Sequence, residues 1–248
     1  MISVCMASYN GERYLKEQLD SILSQLGDKD ELIVSDDGSS DKTKEIIHAY
    51  KDKRIRFFLN QRKGIANNFE NALSKARGEY IFLADQDDVW LAGKLDKMVE
   101  FLDKADLDVA MCNCALVDQE LKIIKSPHFD ARWPMKRRLL SNLYKNAWLG
   151  CCMIMRSSVL KATMPFPRGL AAHDLWLALY AQWHFRTGYL DEVLVLYRRH
   201  DNTVSFTGST STNSLTYKLR YRLHLIYHLI GRSLKNKFCM PVSKYALS

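Results

Sequence analysis

Within its first 104 residues the chain repeats one alternation four times: a short apolar run, a polar turn, then a helical stretch. The runs are 2–7 (ISVCMA), 31–35 (ELIVS), 55–59 (IRFFL) and 79–84 (EYIFLA). Each is strand-sized and followed by turn residues. Between them, 12–26 places Leu15, Leu19, Ile22, Leu23 and Leu26 at helical spacing, and further helices run through Ile46, Ile47 and Tyr50, over 66–77 and over 91–103. Strands alternating with helices predict an α/β fold, a mostly parallel sheet with helices on both faces. Such sheets bind ligands outside the carboxyl ends of their strands. Three of those ends carry polar clusters: Ser8-Tyr9-Asn10, Asp36-Asp37-Gly38-Ser39 and Asp85-Gln86-Asp87-Asp88. They are expected to meet in one crevice.

The rhythm changes after 107. Residues 107–118 and 121–125 read as a strand pair, 135–143 as a basic helix, 147–156 (AWLGCCMIMR) as a buried strand and 157–162 as a short helix. A helix over 173–184 opens with His173-Asp174, and a strand over 193–198 leads into Arg199-His200. A polar, acid-free linker, 206–214, precedes a helix over 215–235 with Leu219, Leu223, Ile226, Tyr227, Ile230 and Leu234 on one face. The expected division is a domain over 1–205, in halves 1–104 and 105–205, and an appendage over 206–248.

Charge is placed unevenly. The net charge is +8, yet all 28 acidic residues precede Asn202, while seven of the 36 basic residues follow it. The body is near neutral and the tail is basic, which suits an anionic membrane surface touched through 213–237. A nucleic-acid partner is not expected, because three acidic clusters would face it. There is no charged stretch before the first strand, no apolar run of about 20 residues, and no C-x-x-C pair. Five of the six cysteines lie in apolar, strand-like surroundings, as buried reduced thiols do. The expected location is the cytoplasm, or the inner face of the cytoplasmic membrane.

Asp85-Gln86-Asp87-Asp88 is the strongest chemical signal. Three carboxylates in four residues repel one another unless a cation sits among them. Mg²⁺ or Mn²⁺ prefers such oxygens and usually also takes substrate phosphates. The bland alternative is a solvated acidic turn. A carboxylate in Asp36-Asp37 can accept from a base N–H or a ribose hydroxyl, although Asp, Gly and Ser are also ordinary loop formers.

The runs Ala7-Ser8-Tyr9-Asn10-Gly11, Val34-Ser35-Asp36-Asp37-Gly38-Ser39-Ser40-Asp41 and Gly78 to Asp88 together resemble glycosyltransferase family 2, of GT-A fold. Asp85-Gln86-Asp87-Asp88-Val89-Trp90 is similar to the bacterial rhamnosyltransferase-like branch, which builds surface polysaccharides. The resemblance implies a metal-dependent, inverting transfer from a nucleotide-sugar donor, UDP- or dTDP-linked, to a glycan or lipid-linked acceptor. It implies that Ser8 and Tyr9 flank the base, with Asn10 beside them, and that Asp37 accepts from the pyrimidine N3–H with Asp36 close by. It makes Asp85 and Asp87 the D-x-D pair at ribose and metal, and Asp88 the next carboxylate on that turn. Many relatives carry Arg-Asn where this chain has Phe69-Glu70, which leaves Asn67 and Asn68 as donor contacts from that helix. Asp174 stands where the family places the base that deprotonates the acceptor. Arg199 would meet the diphosphate and His200 would be a third metal ligand. Trp176 either stacks on a sugar or fills the core.

Two other enzyme readings fit less well. A nucleotidyltransferase would show an N-terminal Gly-rich phosphate loop, and residues 7–13 offer only Gly11 and Arg13. A silent relative would not keep Asp85, Asp87 and Asp174.

Overall fold

The computed structural model describes residues 1–129, 139–144, 146–200 and 214–237. The linker from 206 to 213, residues 135–138 of the basic stretch and Cys239 lie outside the described residues. The chain divides into two compact units, Met1–Val204 and Ser205–Ser248.

In the first unit, β1 (Ile2–Ser8), α1 (Leu15–Leu23), β2 (Glu31–Asp36), α2 (Thr43–Ala49), β3 (Ile55–Leu59), α3 (Ile65–Leu73) and β4 (Tyr80–Asp85) follow the expected alternation. Then come β5 (Val89–Trp90), α4 (Lys94–Lys104), β6 (Val109–Val117), β7 (Ile123–Lys125) and α5 (Leu139–Tyr144). A 3-10 turn (Gly150–Cys152), β8 (Met153–Arg156), α6 (Ser157–Thr163), α7 (His173–His184) and β9 (Thr187–Arg198) complete the unit.

One sheet runs through it in the order β3-β2-β1-β4-β8-β6-β9-β5, with β7 on the side of β6. β3, β2, β1 and β4 are parallel. The sheet as a whole is mixed, because β8 lies antiparallel between β4 and β6, and β5 antiparallel to β9. The apolar runs of β1 and β4 are central strands covered on both faces, so Val4, Cys5 and Met6 and Ile81 to Ala84 are fully buried. On α1, Leu15, Leu19, Ile22 and Leu23 form the buried stripe that their spacing predicts.

Two segments depart from the sequence pattern. Residues 147–156 are not one strand: the chain makes the 3-10 turn first and only Met153–Arg156 pairs in the sheet. The turn brings Gly150 so close to α7 that an added Cβ would lie 3.0 Å from His173 Nε2. A buried apolar run carries no sign of such a bend. β9 begins six residues before the apolar run 193–198, because its polar first half pairs with β6 across a register shift.

In the second unit, α8 (Leu215–Lys237) contains no acidic residue. It exposes Leu219, Leu223, Tyr227, Ile230 and Leu234 along one stripe. No helix among the described residues is long and apolar enough to cross a membrane.

Candidate active site

The sheet register brings the three polar clusters together. Ser8 pairs with Asp36 and Ala7 with Asp85, so the three loops leave adjacent strands side by side. Asn10 turns the first loop with φ 48°, a left-handed conformation that Asn tolerates. Its N–H donates to Ser39 Oγ (2.9 Å) and its Oδ1 accepts from Ser40 N (2.9 Å), which ties the first loop to the second. Tyr9 is tied to the third: its N–H donates to Gln86 Oε1 and its carbonyl accepts from Gln86 Nε2, both at 2.9 Å. Gly11 permits this closeness, since a Cβ there would overlap the Gln86 amide.

These bonds sort the nucleotide-side candidates. Tyr9 is 55% exposed, with its backbone held and its ring in solvent. Asp37 is half-buried and accepts from Asn60 Nδ2 (2.9 Å) and Gly64 N (2.8 Å). Asn67 is half-buried and donates to the Lys63 carbonyl (2.7 Å). Ser8, Asp36 and Asn68 are interior. Asp36 accepts from Gly38 N, Ser39 N, Ser39 Oγ and Ser8 Oγ, so both its oxygens serve the loop. Asn68 Nδ2 donates to the Ser8 carbonyl (2.9 Å).

The acidic turn has two sides. On one, His200 Nε2 lies 2.8 Å from Asp87 Oδ2. On the other, ligand atoms of Asp85, Asp88 and Cys151 all lie within 4.8 Å of one another. Asp88 is fully buried; its Oδ1 accepts from Arg198 N (3.0 Å), while its Oδ2 has no hydrogen-bond partner. Burial, then the charges of Asp87 and Asp174, raise Asp85 to about 7. Burial and the neighbouring Asp87 and Asp85 raise Asp88 well above the usual range. An unpartnered buried oxygen among mutually repelling carboxylates is what a divalent cation relieves, so these residues fit a metal.

Three further groups, Arg198, Lys94 and Cys151, shape this turn. Arg198 is buried, with Nε on the Asp87 carbonyl (2.8 Å), Nη1 on the Gln119 carbonyl (2.5 Å) and an ion pair to Glu17. It is a clamp on the turn, and Arg199 follows it half-buried, with its N–H on the Val117 carbonyl (2.9 Å). Lys94 is also fully buried, donates to the Cys151 carbonyl (2.7 Å) and sits 3.7 Å from the centre of the Trp90 ring. Its signal was legible, because Lys94 shares the buried stripe of α4 with Met98. Cys151 carried no signal beyond its apolar setting.

Asp174 stands in the first turn of α7, half-buried, with Oδ1 accepting from Leu175 N (2.7 Å). Burial raises it to about 6, against hydrogen bonds from Leu175 and Asn146. Its charge is among those that raise Asp85. His173, beside Asp174, packs on α3. It stacks on Phe69 with ring centres 3.8 Å apart, and burial lowers it to about 3, so it stays neutral. Phe69 supports α7 from beneath, and Glu70 accepts from Phe166 N (2.8 Å) and pairs with Arg62. Trp176 fills the core: it is fully buried and donates to the Thr163 carbonyl (3.1 Å).

Residues 3–162 match the model of Glycosyl transferase family 2. TuaG of Bacillus subtilis (strain 168), named for teichuronic acid biosynthesis, is 28% identical over 214 residues, which cover 83% of this chain and 81% of that protein. WfgD of Escherichia coli is named a UDP-Glc:alpha-D-GlcNAc-diphosphoundecaprenol beta-1,3-glucosyltransferase. It is 30% identical over 169 residues, 67% of this chain and 64% of WfgD. The S. aureus TarS 1-349 crystal structure in complex with UDP superposes with a TM-score of 0.65 at 25% identity, over 80% of this chain and 60% of that chain. The chain therefore spans less than two thirds of WfgD and of the TarS chain.

Proposed function

The chain belongs to glycosyl transferase family 2, and on that premise we propose an inverting transfer of a sugar from a UDP- or dTDP-linked donor to a glycan or lipid-linked acceptor in bacterial surface polysaccharide synthesis. The observation that carries this reading is the meeting of the Ser8, Asp36 and Asp85 strand ends on one edge, within electrostatic reach of Asp174.

The Tyr9 ring offers a face for the base, and Asp37 accepts the pyrimidine N3–H. Asp36 and Ser8 act at one remove by fixing the loop that holds Asp37, with Asn10 as the tie between loops. Asn67, beside that loop, reaches the donor from α3, and Asn68 fixes the Ser8 carbonyl. Asp85 takes the ribose. Asp87 and His200 would hold Mn²⁺ or Mg²⁺, with Asp88 behind them, and the ion would supply positive charge for the diphosphate. Arg199 adds to that charge. Asp174 takes the proton of the acceptor hydroxyl as its oxygen bonds to the anomeric carbon. The bond from that carbon to the diphosphate oxygen breaks, and the nucleoside diphosphate leaves with the electron pair. Uridine in the names of WfgD and the TarS complex supports a pyrimidine donor. Rhamnose remains one sugar among those to screen.

The exposed stripe of α8 and its lack of acidic residues support docking on anionic lipid. A chain lacking 213–248 should bind phosphatidylglycerol vesicles less than the full chain; equal binding removes this part of the reading. For the transferase itself, melting temperature is read against UDP, dTDP, GDP, CMP and ATP, with and without Mn²⁺. A rise with one pyrimidine diphosphate that needs the metal is expected. No rise with any nucleotide would count against the donor site.

A further inference from the structure

The inner side of the acidic turn holds a second constellation that nucleotide transfer does not use in full. Cys151 Sγ and one oxygen each from Asp85 and Asp88 lie within 4.8 Å of one another. Cys151 is 1% exposed and Asp88 fully buried. The thiol stands beside both carboxyls, and Asp88 Oδ2 finds no hydrogen-bond partner. Asp87 and His200 are not in this set.

We infer that Asp85, Asp88 and Cys151 form a zinc-selective site behind the donor site. One sulfur and two oxygens suit a borderline-soft ion, whereas Mg²⁺ and Mn²⁺ favour oxygen alone. Zinc holds thiolate at about 2.3 Å and carboxylate at about 2.0–2.2 Å. Ligand atoms around it therefore stand roughly 3.5 Å apart, and the set needs to close only by about 1 Å. Charge also balances. Two carboxylates and a thiolate carry three negative charges, and Zn²⁺ with the buried Lys94 ammonium beside them carries three positive ones. The thiol proton leaves to solvent when the metal binds. Zinc would draw Asp85 inward, so it would oppose donor binding; this consequence alone rests on the transferase reading.

The test uses tag-free, chelator-treated full-length protein without nucleotide, titrated with Co²⁺ and followed by its thiolate-to-metal absorption in the near ultraviolet. Wild type and Cys152→Ser should show the band at one equivalent. Zn²⁺ should abolish it, and a hundredfold excess of Mn²⁺ should not. Cys151→Ser should lose the band and bind zinc tenfold or more weakly. Absence of the band in wild type would overturn the site, whatever the variants do. So would a band that survives in Cys151→Ser and is lost in Cys152→Ser, because Cys152 faces Cys112 and Cys114 and would mark a thiol cluster instead. Since no nucleotide is present, failure here and failure of UDP binding are separate results.

Discussion

Asp36 ends β2 and Asp88 lies in the turn between β4 and β5; both are fully buried, and they are built in opposite ways. Asp36 is surrounded by donors: two backbone N–H groups and two hydroxyls meet its two oxygens. Asp88 receives one N–H, keeps one oxygen unpartnered and faces other carboxylates. The first arrangement is complete without a ligand. The second carries an electrostatic cost that a proton or an added cation relieves. In the proposed site the nucleotide side is thus a preformed cradle, and the diphosphate side is a cluster whose repulsion opposes folding until a cation binds.

The largest effect that sharpens this contrast is at Asp174. Its Asn variant should lose transfer by about 10³-fold, the usual scale for a general base, measured as turnover at saturating donor. In wild type, turnover should fall as pH drops through about 6, where the carboxylate gains its proton. The sign for stability is the reverse. Its folded value lies above the ordinary 3.8, so the folded state holds the proton more tightly between about 4 and 6. Stability is lost over that window as pH rises, and the Asn variant should escape the loss and melt higher at pH 8.

Next in size is the pair Asp36→Ala and Asp88→Asn in metal-free protein. The Ala variant removes the acceptor of four donors, among them the buried Ser39 N and Ser39 Oγ, and should cost about 3 kcal/mol in denaturant unfolding. The Asn variant keeps an acceptor for Arg198 N and removes a repelled charge, so at pH 8 it should be neutral or stabilising in the same measurement. The gain should vanish below about pH 3, where the wild-type group is protonated in both states. Equal destabilisation by both would break the contrast between cradle and cation site.

Legibility in the sequence followed locality. The alternation over 1–104 fixed four strands, and the loops at their ends lie within a few residues of the runs that signal them. The site's inner parts come from far along the chain: Arg198 reaches Asp88 from 110 positions away, and Lys94 meets Cys151 from 57. Side-chain direction was equally invisible. Nothing in Asp87-Asp88 says that one faces His200 and the other Cys151, nor that Trp176 points into the core. The 3-10 turn was hidden because Gly150-Cys151-Cys152 continues an apolar run.

The most direct test of the central claim is UDP binding by titration calorimetry in Mn²⁺, for wild type, Asp87→Asn and Asp174→Asn. Metal-dependent binding should disappear in Asp87→Asn and remain within a few-fold of wild type in Asp174→Asn, which then fails only in transfer. Equal loss of binding in both variants would contradict the division of the site into a donor-holding turn and a separate base.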